Sequence, residues 1–362
     1  MTREGNVPDL RNTGIHPDHW YPLARSHKLK PGKTLAASFA GEPIVLIRTQ
    51  SGALHALENR CAHRQVPLSA GVVEGDRIRC GYHGWTYDGS GKCVDVPYLG
   101  KRDVLPNGVR SYPCREAYDF IFVFPGDPAK ADDSRFPSIP SRADPRYKTR
   151  YLDREVRCHY SFMHENLLDM NHQFLHRRLM GGIRPTFLEL NAGEDWVEAA
   201  YTFKRESGRQ SLGEKFMIGK RSGIKRREHD LMTIRTQYPY QTLQFTSAEQ
   251  EKPSLDLWLA YVPVDRFQKA NHSMGLMMIR RPSTPGLIHL FWPFIVLFTE
   301  GIFAQDRRIV ELEQKAYDDQ GGDWNQEIFP VIRALREMLV RQGTPLVPCL
   351  TSVEKEEAAV GH

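Results

Sequence analysis

Hydrophobic and polar residues alternate in short runs through the first third of the chain, and this pattern predicts strands. Pro43-Ile-Val-Leu-Ile-Arg48 reads as one strand, Gln50-Ser51-Gly52 as a turn, and Ala53-Leu-His-Ala-Leu-Glu58 as the strand that returns. Arg77-Ile-Arg-Cys80 and Trp85-Thr-Tyr87 are short strands, and Asp88-Gly89-Ser90-Gly91 is a hairpin turn into Lys92-Cys-Val-Asp-Val96. Phe120-Ile-Phe-Val-Phe124 closes this β-rich part. The Pro-rich segment from Pro125 to Pro145 reads as a linker or edge loop. Beyond it the pattern mixes the two periods. A helix is expected from Phe162 to about Met180, stopped by Gly181-Gly182. Strands are expected near Trp196 to Phe203, Thr242 to Phe245, Leu255 to Val262 and Met274 to Ile279, and a late helix from about Thr299 to Tyr317.

The most apolar stretch, Leu287 to Phe303, carries His289, Thr299 and Glu300 and is short for a membrane span. It is expected to be a buried wall; the lesser alternatives are peripheral membrane contact or a greasy substrate mouth. The chain has 362 residues, enough for two domains with real cores. Its hydrophobic content of 40% and charged content of 26% are those of a soluble globular protein. A net charge of +5 suits an acidic redox partner better than nucleic acid, and Lys225-Arg226-Arg227 is too short for a nucleic-acid stripe. Six cysteines are too few for a disulfide scaffold, and the polar start, Met1 to Pro8, has no signal-peptide pattern. The expected location is the cytoplasm, where thiols are free to bind metal.

Two clusters carry chemistry. Cys61-Ala62-His63 and Cys80-Gly81-Tyr82-His83 each place one Cys and one His in a loop beside strands. Two thiolates on one iron and two imidazoles on another is the ligation of a mixed [2Fe–2S] centre. Cys2His2 is also a zinc set, but zinc fingers pair Cys with Cys and His with His. Gly81, Gly84, Tyr82 and Trp85 surround the second loop as material to shield a cluster. Cys93, Cys114, Cys158 and Cys349 match no ligand position.

The second cluster is Glu165-Asn-Leu-Leu-Asp-Met-Asn-His-Gln-Phe-Leu-His176. At about 100° per residue, Asp169, His172 and His176 share one helical face and Asn166 lies beside it. Two His plus one carboxylate form the facial set of Fe(II) oxygenases, with open positions for O2 and substrate. Further along the chain, Asp256, Asp265, Asp306, Asp318 and Asp319 are other carboxylates that could complete such a set. Asp306 is preferred because it sits on an apolar stripe with Ile302, Phe303, Ile309 and Val310, where a carboxylate is costly unless paired or metal-bound.

Cys61-Ala-His-Arg64 with Cys80-Gly-Tyr-His-Gly-Trp85 resembles the Rieske motif of ring-hydroxylating oxygenases, except that Ala62 stands where the family usually has Pro. The chain as a whole resembles the shorter Rieske oxygenases of the vanillate demethylase and dicamba monooxygenase kind. The resemblance implies an α+β architecture: an all-β Rieske domain at 18–126, a linker at 127–147, a helix-grip catalytic domain at 148–345 and a tail at 346–362. It implies a [2Fe–2S] cluster on Cys61, His63, Cys80 and His83, and mononuclear Fe(II) on His172, His176 and Asp306. The spacing of His172 and His176 is one residue shorter than in many members. Asp169 would bridge His172 to His83 of a neighbouring subunit in a homotrimer, with Asn166 near the iron. A ferredoxin or flavin reductase would supply electrons, because no flavin or nicotinamide fingerprint is present. The implied activity is hydroxylation or oxidative demethylation of a hydrophobic substrate, aromatic, sterol-like or isoprenoid, in a pocket to which Phe291, Trp292 and Phe294 contribute. The alternatives are ring cis-dihydroxylation and electron transfer without oxygenase activity.

Overall fold

A computed structural model describes residues 9–99, 104–205, 230–282, 284 and 286–346. Lys225-Arg226-Arg227, Cys349 and the tail from 347 onward lie outside them.

The first part is three small antiparallel sheets. Lys33–Phe39, Glu42–Arg48, Leu54–Glu58 and Ser111–Tyr112 form one, and Tyr21–Arg25, Phe120–Val123 and Cys114–Ala117 form another. Val72–Glu74, Arg77–Arg79, Thr86–Tyr87 and Cys93–Asp95 form a meander that carries its own small core of Val73, Ile78, Tyr87 and Val96. The expected linker is packed rather than free. It contains helix α1 (Pro140–Ala143), buries Ile139, and places Phe136 against Phe122 at 4.8 Å.

The second part is one seven-stranded antiparallel sheet. Its first strand, Tyr147–Val156, lies at one edge. The chain crosses to the other edge through α2 (Tyr160–Leu168) and α3 (Arg177–Met180), then returns as a meander from Ile183–Ala192 to Asn271–Arg280. Two helices follow, α4 (Leu287–Gln320) and α5 (Pro330–Gln342).

The strand Leu255–Pro263 shows why the sheet divides the molecule. All nine residues are buried, with no polar alternation to announce a solvent face. Side chains of a strand point alternately to its two faces. Leu255, Leu257, Leu259 and Tyr261 face a cavity. Trp258, from the other set, packs on Tyr240 at 5.2 Å and on Phe122 at 6.2 Å, joining the sheet to the N-terminal layers. Gly275 pairs with Leu259 across the strands, and a Cβ there would come within 2.5 Å of Leu259 Cδ2, so glycine leaves the leucine its place.

The expected strands are all present. The expected helix from 162 to 180 is not continuous. It stops at Leu168, continues as a 3₁₀ turn at Met170–Phe174, and resumes only as α3. Asp169 causes the break: its carboxylate accepts the Asn171 N–H at 2.9 Å, which holds Asp169 outside the helical region at φ −84°, ψ 91°. The late helix is longer than expected at both ends. Its first half is not a buried wall: Leu290, Phe294 and Leu297 are 68%, 61% and 73% exposed.

α2 is tied to α5 and to the N-terminal segment by a buried ion network. The Glu165 carboxylate sits between the guanidiniums of Arg11 and Arg336, and Arg336 also reaches Asp323 at 3.3 Å. Glu165→Ala leaves Arg11 without a carboxylate and Arg336 with Asp323 alone, which costs about 3–5 kcal/mol. Urea unfolding should show that loss; a loss near zero would mean that the network contributes nothing to stability.

Candidate metal centres

The first centre lies at the tip of the meander. The Cys61 loop is closed by the Cys61 N–H to the Val66 carbonyl at 2.8 Å, and the Cys80 loop by the Cys80 N–H to the Trp85 carbonyl at 2.8 Å. Gly84 turns the second loop at φ +75°, with Pro97 Cγ 3.0 Å from where a Cβ would be, so glycine is required. Cys61 and Cys80 are each 3% exposed, whereas His63 is exposed and His83 half-buried. The His63 and His83 rings are 4.6 Å apart, and Trp85 stacks flat on His63 at 4.9 Å. Tyr82, expected as a shield, is 58% exposed and leans on His83 at 3.7 Å. Buried sulfurs and outward imidazoles fit a cluster that is held from inside and exchanges electrons at its histidine edge. Burial and the neighbouring Cys61 push the Cys80 thiol up, and a bound metal opposes that shift by stabilising the thiolate.

One contributor lay outside the motif. The Tyr87 hydroxyl accepts the Ala62 N–H at 3.0 Å, so its proton is left for Cys61 Sγ, 3.2 Å away. A hydrogen bond to a ligand sulfur raises the reduction potential. Tyr87→Phe should lower it by tens of millivolts, about 59 mV being a tenfold change in a one-electron equilibrium. Redox titration of the EPR signal checks this; an unchanged potential would show that the hydroxyl does not act on the sulfur.

The second centre forms where the broken helix meets α4. The rings of His172 and His176 lie 5.1 Å apart and nearly perpendicular, at 85°. They do not share a helix face as expected: His172 is in the 3₁₀ turn and His176 caps α3. His172 Nδ1 donates to the Asp169 carbonyl at 2.5 Å, and His176 Nδ1 donates to Gln305 Oε1 at 2.9 Å. Both Nε2 lone pairs are thereby directed at Asp306 Oδ1, 3.9 Å from His172 and 3.1 Å from His176. That oxygen is buried and receives no hydrogen bond. The three atoms lie within 4.8 Å of one another. Three electron-pair donors facing one point repel each other unless a cation lies between them, so the set fits a metal ion. Burial holds His172 below its ordinary pKa. At His176 burial acts in the same direction, but the Asp306 carboxylate outweighs it and the net shift is upward.

The other carboxylates considered are engaged elsewhere. Asp256 is bonded to Ser141, Asp265 to the N–H groups of Phe267 and Ala270, Asp318 to Lys269, and Asp319 to Lys315. Of the predicted stripe on α4, Ile302 and Phe303 face the centre and Val310 is buried, but Ile309 is 42% exposed. Asp169 meets His172 through its backbone carbonyl, while its carboxylate Oδ1 accepts both Asn171 donors.

The centre forms one wall of a cavity of about 170 Å³ under the large sheet. Asn166 is in the wall, and the rest is mainly Leu, Met and Phe. Phe291, Trp292 and Phe294 do not line it; Trp292 instead lies under the Lys148 ammonium at 4.3 Å.

Residues 19–113 match the Rieske [2Fe–2S] domain, and residues 156–330 match the vanillate O-demethylase oxygenase C-terminal domain. The chain is 30% identical over 360 residues to a 4β-methylsterol monooxygenase of Methylococcus capsulatus, covering 93% of this chain and 92% of that one. It belongs to the Rieske non-haem iron oxygenases. The oxygenase component of dicamba O-demethylase from Stenotrophomonas maltophilia is 36% identical over 159 residues, 44% of this chain and 47% of that one. Dicamba monooxygenase bound to dicamba has the same fold, with a TM-score of 0.74 at 23% identity over 96% of this chain and 99% of that one. The oxygenase therefore works with a Rieske cluster and a mononuclear non-haem iron, takes electrons from a reductase or ferredoxin, and acts on a small organic substrate.

Gln305 precedes Asp306 in the segment that resembles the family's late ligand region, but its bond to His176 was not readable there, because it depends on α4 packing against α3. Gln305→Leu in the oxygenase should weaken the mononuclear iron about 10- to 100-fold. Iron analysis during chelator titration checks this, with the cluster's absorbance as an internal control. Asp306→Ala should empty the mononuclear site and spare the cluster; retained iron would show that another residue is the ligand.

Proposed function

We propose that this oxygenase hydroxylates or oxidatively demethylates a neutral, polycyclic, sterol-like substrate. The carrying observation is the cavity lining. It contains no Lys or Arg among the described residues. An acidic aromatic would find no Lys or Arg to pair with there, so its carboxylate would be desolvated without such a partner. The few polar groups are mostly engaged: Tyr261 donates to Gln241 at 3.0 Å, and Thr299 to the Ile295 carbonyl at 2.7 Å. The Gln173 side-chain carbonyl is not engaged: the residue is 9% exposed, and its Oε1 has no partner. In this reading it accepts a hydrogen bond from a substrate hydroxyl. The methylsterol monooxygenase that matches along nearly the whole chain supports the same substrate class.

A volume of about 170 Å³ is below the roughly 300–1,000 Å³ of sites that engulf a ligand, so only the reacting end of such a molecule is enclosed. The same volume favours a second reading, a compact neutral aromatic.

In the proposed assignment Cys61, His63, Cys80 and His83 hold the cluster, and His172, His176 and Asp306 hold the iron. When bound, these groups store electrons and activate O2. The protein's part is to orient the imidazoles through Asp169 and Gln305, keep water out with the aliphatic walls, and hold the substrate beside Asn166. Asp169 also bridges to His83 of the neighbouring subunit of a cytoplasmic homotrimer. Asp169→Asn should then keep both metals yet lower turnover about 10- to 100-fold. Normal turnover with a coupled reductase would remove the bridge.

The substrate reading is tested by mass spectrometry of reduced enzyme with O2, using neutral sterols in parallel with benzoates and neutral phenyl ethers. An O2-dependent gain of one oxygen, or loss of a methyl group, is expected for the sterols, with the benzoates unchanged. Gln173→Leu should raise KM for a hydroxylated sterol more than for its deoxy analogue. Turnover of benzoates alone would overturn the reading.

A further inference from the structure

We propose that the exposed face of α4 docks on an anionic lipid surface. Leu290, Phe294 and Leu297 are spaced i, i+4 and i+7, so they form one stripe, and Pro293 and Ala304 continue it. Between Leu287 and Thr299 there is no Asp, Glu, Lys or Arg. A contiguous apolar stripe of this kind marks a contact surface rather than ordinary surface scatter. The helix does not leave the protein to span a bilayer. Asp306 is held at His172 and His176, and Val310 and Gln314 are buried. It can only lie in the plane of an interface.

Charge identifies the occupant. At the N-terminal end of the stripe, Lys148 Nζ is 2.8 Å from His289 Nδ1, and Arg281 Nη1 is 3.3 Å from His289 Nε2. Among the described residues neither cation is in an ion pair with a carboxylate. Burial and Arg281 together hold the Lys148 ammonium below the ordinary lysine range, the condition an anionic headgroup relieves. At the other end Arg307 and Arg308 are exposed. An apolar stripe bracketed by cations, with Trp292 under Lys148 at 4.3 Å, is the pattern of an interfacial helix on acidic lipid. A two-fold contact with a second copy would instead press like charges together, and a head-to-tail contact between copies is the outcome that the light-scattering measurement below detects.

The opposite side of the same helix gives Thr299, Ile302 and Phe303 to the cavity wall. Docking therefore sets the cavity beside the acyl layer in which a neutral sterol dissolves. This consequence rests on the substrate reading above; the docking itself does not.

The test is co-sedimentation of the full-length holoenzyme with vesicles of phosphatidylcholine containing phosphatidylglycerol, against phosphatidylcholine alone. No turnover is measured, so failure of the substrate reading leaves the result intact. Wild type should bind the mixed vesicles and release them at high salt. The double variant Leu290→Glu, Leu297→Glu should lose at least about tenfold in binding. Lys148→Gln and Arg281→Gln should each lose about fivefold on mixed vesicles only. Circular dichroism and cluster absorbance report folding of each variant. Failure of wild type to bind, or unchanged binding by the double variant, overturns the proposal. So does a drop in the double variant's mass by light scattering, which would make the face a contact between copies.

Discussion

Two imidazole nitrogens and one carboxylate oxygen meet at the wall of an apolar cavity, and much of the architecture follows from holding them there. An unsolvated carboxylate oxygen facing two lone pairs is unstable by itself. It persists because three separate pieces of chain are fixed around it. Asp169 ends α2 and turns His172 inward, His176 caps α3, and α4 brings Asp306 and Gln305 from more than a hundred residues away. The Arg11–Glu165–Arg336 network locks α2 in place behind them. The same cavity dictates the sheet. Leu255–Pro263 is buried on both faces because one lines the cavity and the other seats the N-terminal layers.

The two metal centres are built on opposite principles. The cluster site is shallow, with thiols in and imidazoles out, and Tyr87 adjusts a sulfur from within. That suits a group that must pass electrons across a surface. The iron site is deep, with its histidines oriented by Asp169 and Gln305, and suits chemistry that must exclude water. α4 connects the deep site to the outside, with Asp306 and the cavity wall on one side and an exposed apolar stripe on the other.

The cluster motif was readable because its information is local. Each Cys-x-His or Cys-x2-His loop is a few residues long, and its ligands are close in sequence. The strands were readable for the same reason, since alternation is a property of consecutive residues. The 162–180 segment misled because helical periodicity says nothing about an Asp that competes for the backbone. Asp169 carried that signal, as an Asx residue followed two positions later by Asn171, and its effect outweighed the pattern. Phe291, Trp292 and Phe294 misled because apolar residues near a ligand need not face it.

The sequence alone determined that this is a Rieske oxygenase with a β domain before an α+β domain, because ligand identity and spacing are chemical facts of the chain. It also supplied Asp306 as the preferred carboxylate, through the apolar stripe around it. Tertiary structure decided how His172 and His176 converge, because a turn rather than a helix aims them. It placed Tyr87 against Cys61 and Gln305 against His176, and it left the cavity lining without Lys or Arg among the described residues. It also turned the apolar half of α4 outward. Each of these depends on which distant side chains are brought into contact, and no local pattern encodes that.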